Sequence, residues 1–306
     1  MNKLIPYGKQ HIDKRDIEAV SKSLKQNKIT TGNNVSLFEN KLKKYFKSKY
    51  TAVCNSGTSA LLLSLLAIEI KKNDKIIMPA INFISSYNTC KLLGADIYLS
   101  DVDKYTGQIT PEKILECIKK NNLKKVKAII VMYHGGYPEN AENFIKFKKK
   151  FGSYIIEDAC HALGAEYRVK NKFYKIGSCK HVDISTFSLH PLKTITTGEG
   201  GIVTCSSKKI FEKVKLYRSL GINRDLKKHW KYDVVNYGLN LRLNDIQCAL
   251  GISQLVKINH FLKKRKKIAN HYQKILKNID GIKLPQYKKK NKSSYHLFMA
   301  SLEKLN

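Results

Sequence analysis

One lysine stands in a setting unlike that of the others. Lys193 lies within Ser188-Leu189-His190-Pro191-Leu192-Lys193-Thr194-Ile195-Thr196-Thr197-Gly198-Glu199-Gly200-Gly201. The residues on either side, Val182 to Phe187 and Ile202 to Cys205, read as strands. A lysine fixed on such a glycine-rich connection can be partly desolvated. Burial lowers an ammonium pKa, and the neutral amine attacks carbonyls. Ser188, the hydroxyls of Thr194, Thr196 and Thr197, and the glycine amides could hold an anion nearby. The pattern fits a lysine that forms a Schiff base beside a phosphate-bearing cofactor. Against it stands abundance: only six of the 57 cationic residues are arginine, so nearly all lysines must be solvated surface groups. Lys193 differs by its Pro, Thr and Gly neighbours and its flanking strands.

Three further stretches could complete that chemistry. Asn55-Ser56-Gly57-Thr58-Ser59-Ala60 opens an almost wholly apolar helix, Leu61 to Ile70. Its first turn offers free amides and hydroxyls at the positive end of the helix, a ready phosphate site; an ordinary capped core helix reads the same way. Tyr154-Ile155-Ile156 leads into Glu157-Asp158-Ala159-Cys160-His161-Ala162-Leu163-Gly164. An acid at the carboxyl end of a parallel strand sits at the ligand-facing edge. Asp158 can pair there with a protonated ring nitrogen, or simply cap the next helix. His161 is close enough to share the site or to pack. Phe83, just past a strand end, could lie over a flat ring or join the core.

The elements that must position these residues alternate. Strands are expected at Tyr50 to Cys54, Lys75 to Met78, Asp96 to Leu99, and Val126 to Met132, whose continuous apolar run suits a strand covered on both faces. Asp13 caps a helix to about Lys25, and a second helix runs to Phe46 after the Lys28-to-Asn33 turn. Helices are also expected at Asn143 to Phe151 and Lys208 to Leu220, and a long one, opened by Gly238 to Asp245, runs to about Leu276. Together they imply an α/β fold with a doubly wound, mostly parallel sheet. Residues 1–250 are expected to form a large cofactor-binding domain and 251–306 the start of a second, on which residues 1–12 pack. Ser294 to Leu302 reads as a strand without a partner.

Bulk properties exclude more than they assign. The net charge of +33 would suit nucleic acid, but the excess is lysine spread along the whole chain, without interleaved arginines and aromatics. Compositional drift is the simpler reading, and no nucleic-acid or membrane partner is expected. The runs Lys263-Lys264-Arg265-Lys266-Lys267 and Lys288-Lys289-Lys290 read as solvated helix face and loop. Seven scattered cysteines without a C-x-x-C pair suggest neither metal nor disulfide framework. No stretch spans a bilayer and Met1 to Gly8 lacks a signal-peptide core, so a cytoplasmic location is expected.

Taken together, these segments resemble the DegT-type nucleotide-sugar aminotransferases, pyridoxal 5′-phosphate (PLP) enzymes of fold type I. The likeness rests on the order and spacing of Thr30-Thr31-Gly32, Asn55 to Ala60, Asp158 to Gly164, Ser188 to Gly201, Arg218-Ser219-Leu220-Gly221-Ile222 and Asn240-Leu241-Arg242-Leu243-Asn244-Asp245-Ile246-Gln247. It extends from Ile5-Pro6-Tyr7-Gly8 to Ser294-Tyr295-His296-Leu297. Within the family, Ile5 to Gln10, His190 to Gly201, and Gly221-Ile222-Asn223-Arg224-Asp225 with Trp230-Lys231-Tyr232 are most similar to the pseudaminic acid branch.

The resemblance implies a large domain with an incomplete C-terminal small domain. It implies that Lys193 holds PLP covalently and then carries protons, while Asp158 keeps the ring nitrogen protonated. Ser56, Gly57, Thr58 and Ser188 would bind the cofactor phosphate, Phe83 would cover the ring, and His161 would lie near its phenolic oxygen. Asn240, with Arg242, would reach the neighbouring subunit's site in a homodimer. Tyr7, Lys28, Ile29, Thr30, Ser188 and Asn240 would contact substrate. The implied reaction takes the amine of an amino acid, expected to be L-glutamate, to the 4-keto group of a UDP-linked deoxysugar. Lys193 argues against the related sugar 3-dehydratases, which have histidine there. Family members continue past residue 306, so a fragment or truncated reading frame is expected, with an inactive, binding-only remnant as the alternative. The loop Met132-Tyr133-His134-Gly135-Gly136 departs from the family's usual one and leaves His134 without a role.

Overall fold

A computed structural model describes residues 6–224, 230–287 and 291–303. Ile5, Asp225 and the run Lys288-Lys289-Lys290 lie outside them. The strands are β1 (Tyr50–Cys54), β2 (Lys75–Pro79), β3 (Asp96–Ser100), β4 (Ala128–Met132), β5 (Tyr154–Asp158), β6 (Glu166–Val169), β7 (Lys172–Lys175), β8 (Ile184–Ser188), β9 (Gly201–Cys205), β10 (Ile222–Arg224), β11 (Tyr232–Val234), β12 (Ile282–Lys283) and β13 (Ser301–Leu302). The α-helices are α1 (Lys14–Leu24), α2 (Asn33–Phe46), α3 (Gly57–Ala67), α4 (Ile84–Leu92), α5 (Pro111–Lys120), α6 (Ile145–Phe151), α7 (Lys208–Arg218), α8 (Asp245–Val256) and α9 (Ile258–Leu276).

Seven strands form the central sheet in the order β1-β9-β8-β5-β4-β2-β3. Pairings from β8 across to β3 are parallel, and β9 is antiparallel to both its neighbours. Six strands therefore share one direction and β9 alone runs back. Each face is covered. One core gathers Phe38, Leu42 and Phe46 of α2 over Ile129, Val131 and Phe187. The other gathers the apolar length of α3 over Ile130, Ile156 and Val203. Adjacent residues of β4 point to opposite cores, which explains its unbroken apolar run.

The same alternation places the chemistry. Along β5, Ile156 belongs to the α3 core and Ile155 to the α2 core, so Asp158 falls on the α3 face and Glu157 on the other. Along β8, Ile184 faces α3, and Ser188, four residues on, returns to that face. The N-terminus of α3, the end of β5 and the end of β8 thus converge on one side of the sheet's carboxyl edge.

Two expected elements differ. The long helix to Leu276 is two helices, broken at Lys257, whose amine reaches inward to Asp16 of α1 at 2.5 Å and to Asp13 at 3.1 Å. Residue 250 lies inside α8. Ser294 to Leu302 is mostly irregular; only Ser301–Leu302 is extended, and it does have a partner, Ile282–Lys283. Its earlier residues instead bond to the loop after β4, with Ser294 N to Gly136 O at 3.0 Å and His296 N to Gly135 O at 2.9 Å. Gly136 has φ 100°, and a Cβ there would sit 2.5 Å from His161 O, so only glycine lets this segment close on the site.

Candidate active site

The converging elements enclose a cavity of about 890 Å³. Lys193, Asp158, His161, Ser188 and Phe83 line it, with Ser56, Gly57 and Thr58 at the start of α3. Tyr7, ahead of α1, lines it too.

The lysine connection is held rigidly. Leu189 N donates to Gly200 O at 2.8 Å, Thr197 N to Leu189 O at 3.0 Å, and Lys193 N to His190 O at 2.9 Å. The three threonines expected to hold an anion do not. They are buried, and their hydroxyls donate to the carbonyls of Leu163, Leu189 and Glu199, which stiffens the loop. The Lys193 amine stands 3.4 Å from His296 Nε2. Burial holds its pKa below the usual lysine value; the Cys160 and Asp158 side chains oppose that shift, and the Arg265 charge adds to it.

Asp158 is 2% exposed. Its Oδ2 accepts from Ser86 Oγ at 2.9 Å, and its Oδ1 from Cys160 N at 3.3 Å. Burial and the nearby Lys193 charge press His161 down to about 3, and burial, with His161 and Lys193 beside it, presses His296 down to about 2. Both imidazoles are neutral. Their rings lie 4.2 Å apart, and His134 stands 5.8 Å beyond His161, in a layer behind the cavity.

At the start of α3, Ser56 Oγ accepts from Ser59 N at 3.0 Å and Thr58 Oγ1 pairs with Ser85 Oγ at 2.8 Å. A Cβ on Gly57 would stand 2.8 Å from the Ser188 Cβ. The backbone of the helix's first turn therefore approaches Ser188 as only glycine allows, leaving room for oxygens at the positive helix end. Phe83, the cap residue of α4, is 64% exposed and faces the cavity. The donor set suits a flat ring with an anionic group at one end and a protonated nitrogen at the other.

Other expected residues lie elsewhere on the single chain. Lys28, Ile29 and Thr30 are exposed, and their turn is tied to the start of α8 through Ile29 O and Asp245 N at 3.0 Å. Asn240 is exposed and bridges Ser219; Leu241 O accepts from Asn55 N at 2.9 Å, so Asn240 and Arg242 adjoin the start of α3 from outside the cavity. The sequence reading left His296, Arg265, Tyr272 and Phe298 without roles, and all four line the cavity. His296 had a signal, since it lies in the Ser294-to-Leu297 motif. Arg265 was hidden in a basic run read as solvated; its guanidinium is instead turned onto the lysine loop.

A lysine on the connection after a strand of a doubly wound sheet, facing a buried aspartate and a helix N-terminus, marks a PLP enzyme of fold type I. The chain belongs to the DegT/DnrJ/EryC1/StrS aminotransferase family, whose profile matches residues 10–306. It is 40% identical over 298 residues to UDP-4-amino-4,6-dideoxy-N-acetyl-beta-L-altrosamine transaminase of Campylobacter jejuni strain 81-176, an alignment covering 96% of this chain and 76% of that one. It is also similar to the solved structure of Helicobacter pylori PseC, an aminotransferase involved in the biosynthesis of pseudoaminic acid. That match has a TM-score of 0.89 and 32% identity over 99% of this chain and 78% of that one. The PLP form of the sugar aminotransferase Spr1654 from Streptococcus pneumoniae aligns with a TM-score of 0.86 and 25% identity, over 99% and 79% of the respective chains.

Proposed function

We propose that this enzyme, with PLP bound, moves the amino group of an amino acid, L-glutamate, to the 4-keto group of a UDP-linked deoxysugar. The observation that carries the reading is the meeting of Lys193, Asp158 and the start of α3 in one cavity. The transaminase relative from Campylobacter jejuni supports the sugar and nucleotide classes. The PLP form of Spr1654 supports the cofactor.

Bound PLP supplies an electron sink next to the carbon that gains or loses the amine. The chain's residues do the rest. Asp158, fixed by Ser86 Oγ and Cys160 N, holds the proton on the ring nitrogen through its carboxylate. Gly57 and Thr58 amides and the Ser188 hydroxyl bind the phosphate. Lys193 would hold the cofactor and, when free of it, would take and deliver a proton at Nζ; burial lowers its pKa toward the neutral amine. His161 and His296, both neutral, accept hydrogen bonds without adding charge. Phe83, Leu192, Leu297 and Phe298 line the cavity with apolar surface that would exclude water. Tyr7 at the rim meets the nucleotide-sugar.

A homodimer is part of this reading, with Asn240 and Arg242 serving the partner's cavity and Lys28 to Thr30 the nucleotide-sugar at the subunit boundary. So is a cytoplasmic location, and so is a cofactor-binding domain to about residue 250 followed by a second unit. The test is turnover: purified protein with PLP, L-glutamate and a UDP-4-keto-6-deoxy-N-acetylhexosamine should yield 2-oxoglutarate and the 4-amino sugar in equal amounts. A protein that loads with PLP and yields neither would contradict it.

A further inference from the structure

Helix α9 carries Lys263-Lys264-Arg265-Lys266-Lys267, in which the four lysines are exposed and Arg265 is half-buried. One terminal nitrogen of its guanidinium donates to the carbonyls of Leu192 and Lys193, both at 3.2 Å. The other donates to Tyr295 O at 3.3 Å and His296 O at 3.4 Å. These two backbone segments carry the two side chains that meet in the cavity, Lys193 Nζ and His296 Nε2. Tyr295 has φ 51°, a left-handed conformation that a residue with a Cβ keeps only where its surroundings impose it.

We propose that Arg265 is a positioning residue for amine transfer: it bridges the backbone of Lys193 to that of His296 and so fixes where the lysine amine stands while that amine is not bonded to the cofactor. The proposal rests on the transaminase reading. In that part of the cycle Lys193 is held through its backbone, and among the described residues its amine's side-chain hydrogen bond is to His296 Nε2. If either segment drifts, that contact opens. The planar fork of a guanidinium can serve four carbonyls at once; the point charge of an ammonium cannot. The groups facing the amine are Asp158 at the end of β5, Cys160 in the turn after it, His161, His296, and Arg265 itself.

The test compares Arg265→Lys, which keeps the charge and loses the fork, with Arg265→Met, which loses both. Two quantities are read: steady-state kinetics of the PLP-loaded protein, and the pH dependence of Lys193 acetylation by acetic anhydride in PLP-free protein, followed by peptide mass. Both variants should lose roughly 100-fold in kcat, the scale expected when a reacting group is misplaced by about 1 Å. KM for donor and acceptor should stay within about threefold of wild type. The acetylation midpoint should be unchanged in Arg265→Lys and higher in Arg265→Met, where one cation fewer faces the amine. Should Arg265→Met fail to fold, Arg265→Lys alone decides. Wild-type kcat in Arg265→Lys would overturn the role of Arg265, as would a loss carried by KM. A wild-type protein that does not turn over would instead strike the transaminase reading itself.

Discussion

Two adjacent acids, Glu157 and Asp158, show how much one residue of register decides. Both end β5 and both are buried, yet they face opposite cores. Asp158 opens onto the cavity. Glu157 accepts from Tyr133 OH at 2.8 Å and from Ser185 Oγ, and burial raises it from 4.5 to about 7. A carboxyl raised in the folded state makes stability fall as pH climbs from 4.5 to about 7, because the unfolded chain ionises first. Glu157→Gln should flatten that decline in thermal melts and leave kcat near wild type. Asp158→Asn should cost roughly 100-fold or more in kcat, as loss of a preorganised charge in a dry site does. The place of Asp158 at the carboxyl end of an expected parallel strand made it legible in the sequence; that Glu157 faces the other core shows only in the structure. His296 was not assignable that way: its place depends on Gly136 and on backbone bonds to a loop about 160 residues away in the chain, a contact that no local pattern encodes.

At the scale of elements, strands and helices with strong periodicity were legible: α1 begins at its Asp13 cap, β4 lies within its apolar run, and α3 starts at Ser56. What was missed depends on tertiary context. The β6–β7 and β10–β11 hairpins carry little apolar alternation. The α8–α9 break has no glycine or proline to announce it; it falls at Lys257, in the buried cluster with Asp16, Ser253 and Gln254. That cluster joins α1 to the base of α9, which carries Arg265 and Tyr272 into the cavity. Lys257→Met would leave Asp16, 1% exposed, without its cation, and should destabilise the protein by roughly 3–5 kcal/mol in urea unfolding.

For the whole molecule, alternating strands and helices announced the doubly wound sheet, and the structure adds that β9 runs against the rest. None of the helices among the described residues is long and apolar enough to cross a membrane. Exposed apolar side chains occur on many elements, and among them Val234 is 68% exposed and Tyr237 67%, on the segment that leads into Asn240. Under the proposed homodimer, these side chains would be buried against a second copy of the chain. Sedimentation equilibrium should give twice the chain mass at micromolar concentration, and Val234→Glu should shift the species toward the monomer. A monomeric wild type that turns over at full rate would remove Asn240 and Arg242 from the site.

The account depends most on the amine of Lys193 being the group that takes the cofactor. Protein incubated with PLP, reduced with borohydride and digested should carry the pyridoxyl mass on the peptide containing Lys193, with the visible band abolished in Lys193→Ala. A pyridoxyl label on another lysine, or an unchanged band in Lys193→Ala, would contradict it.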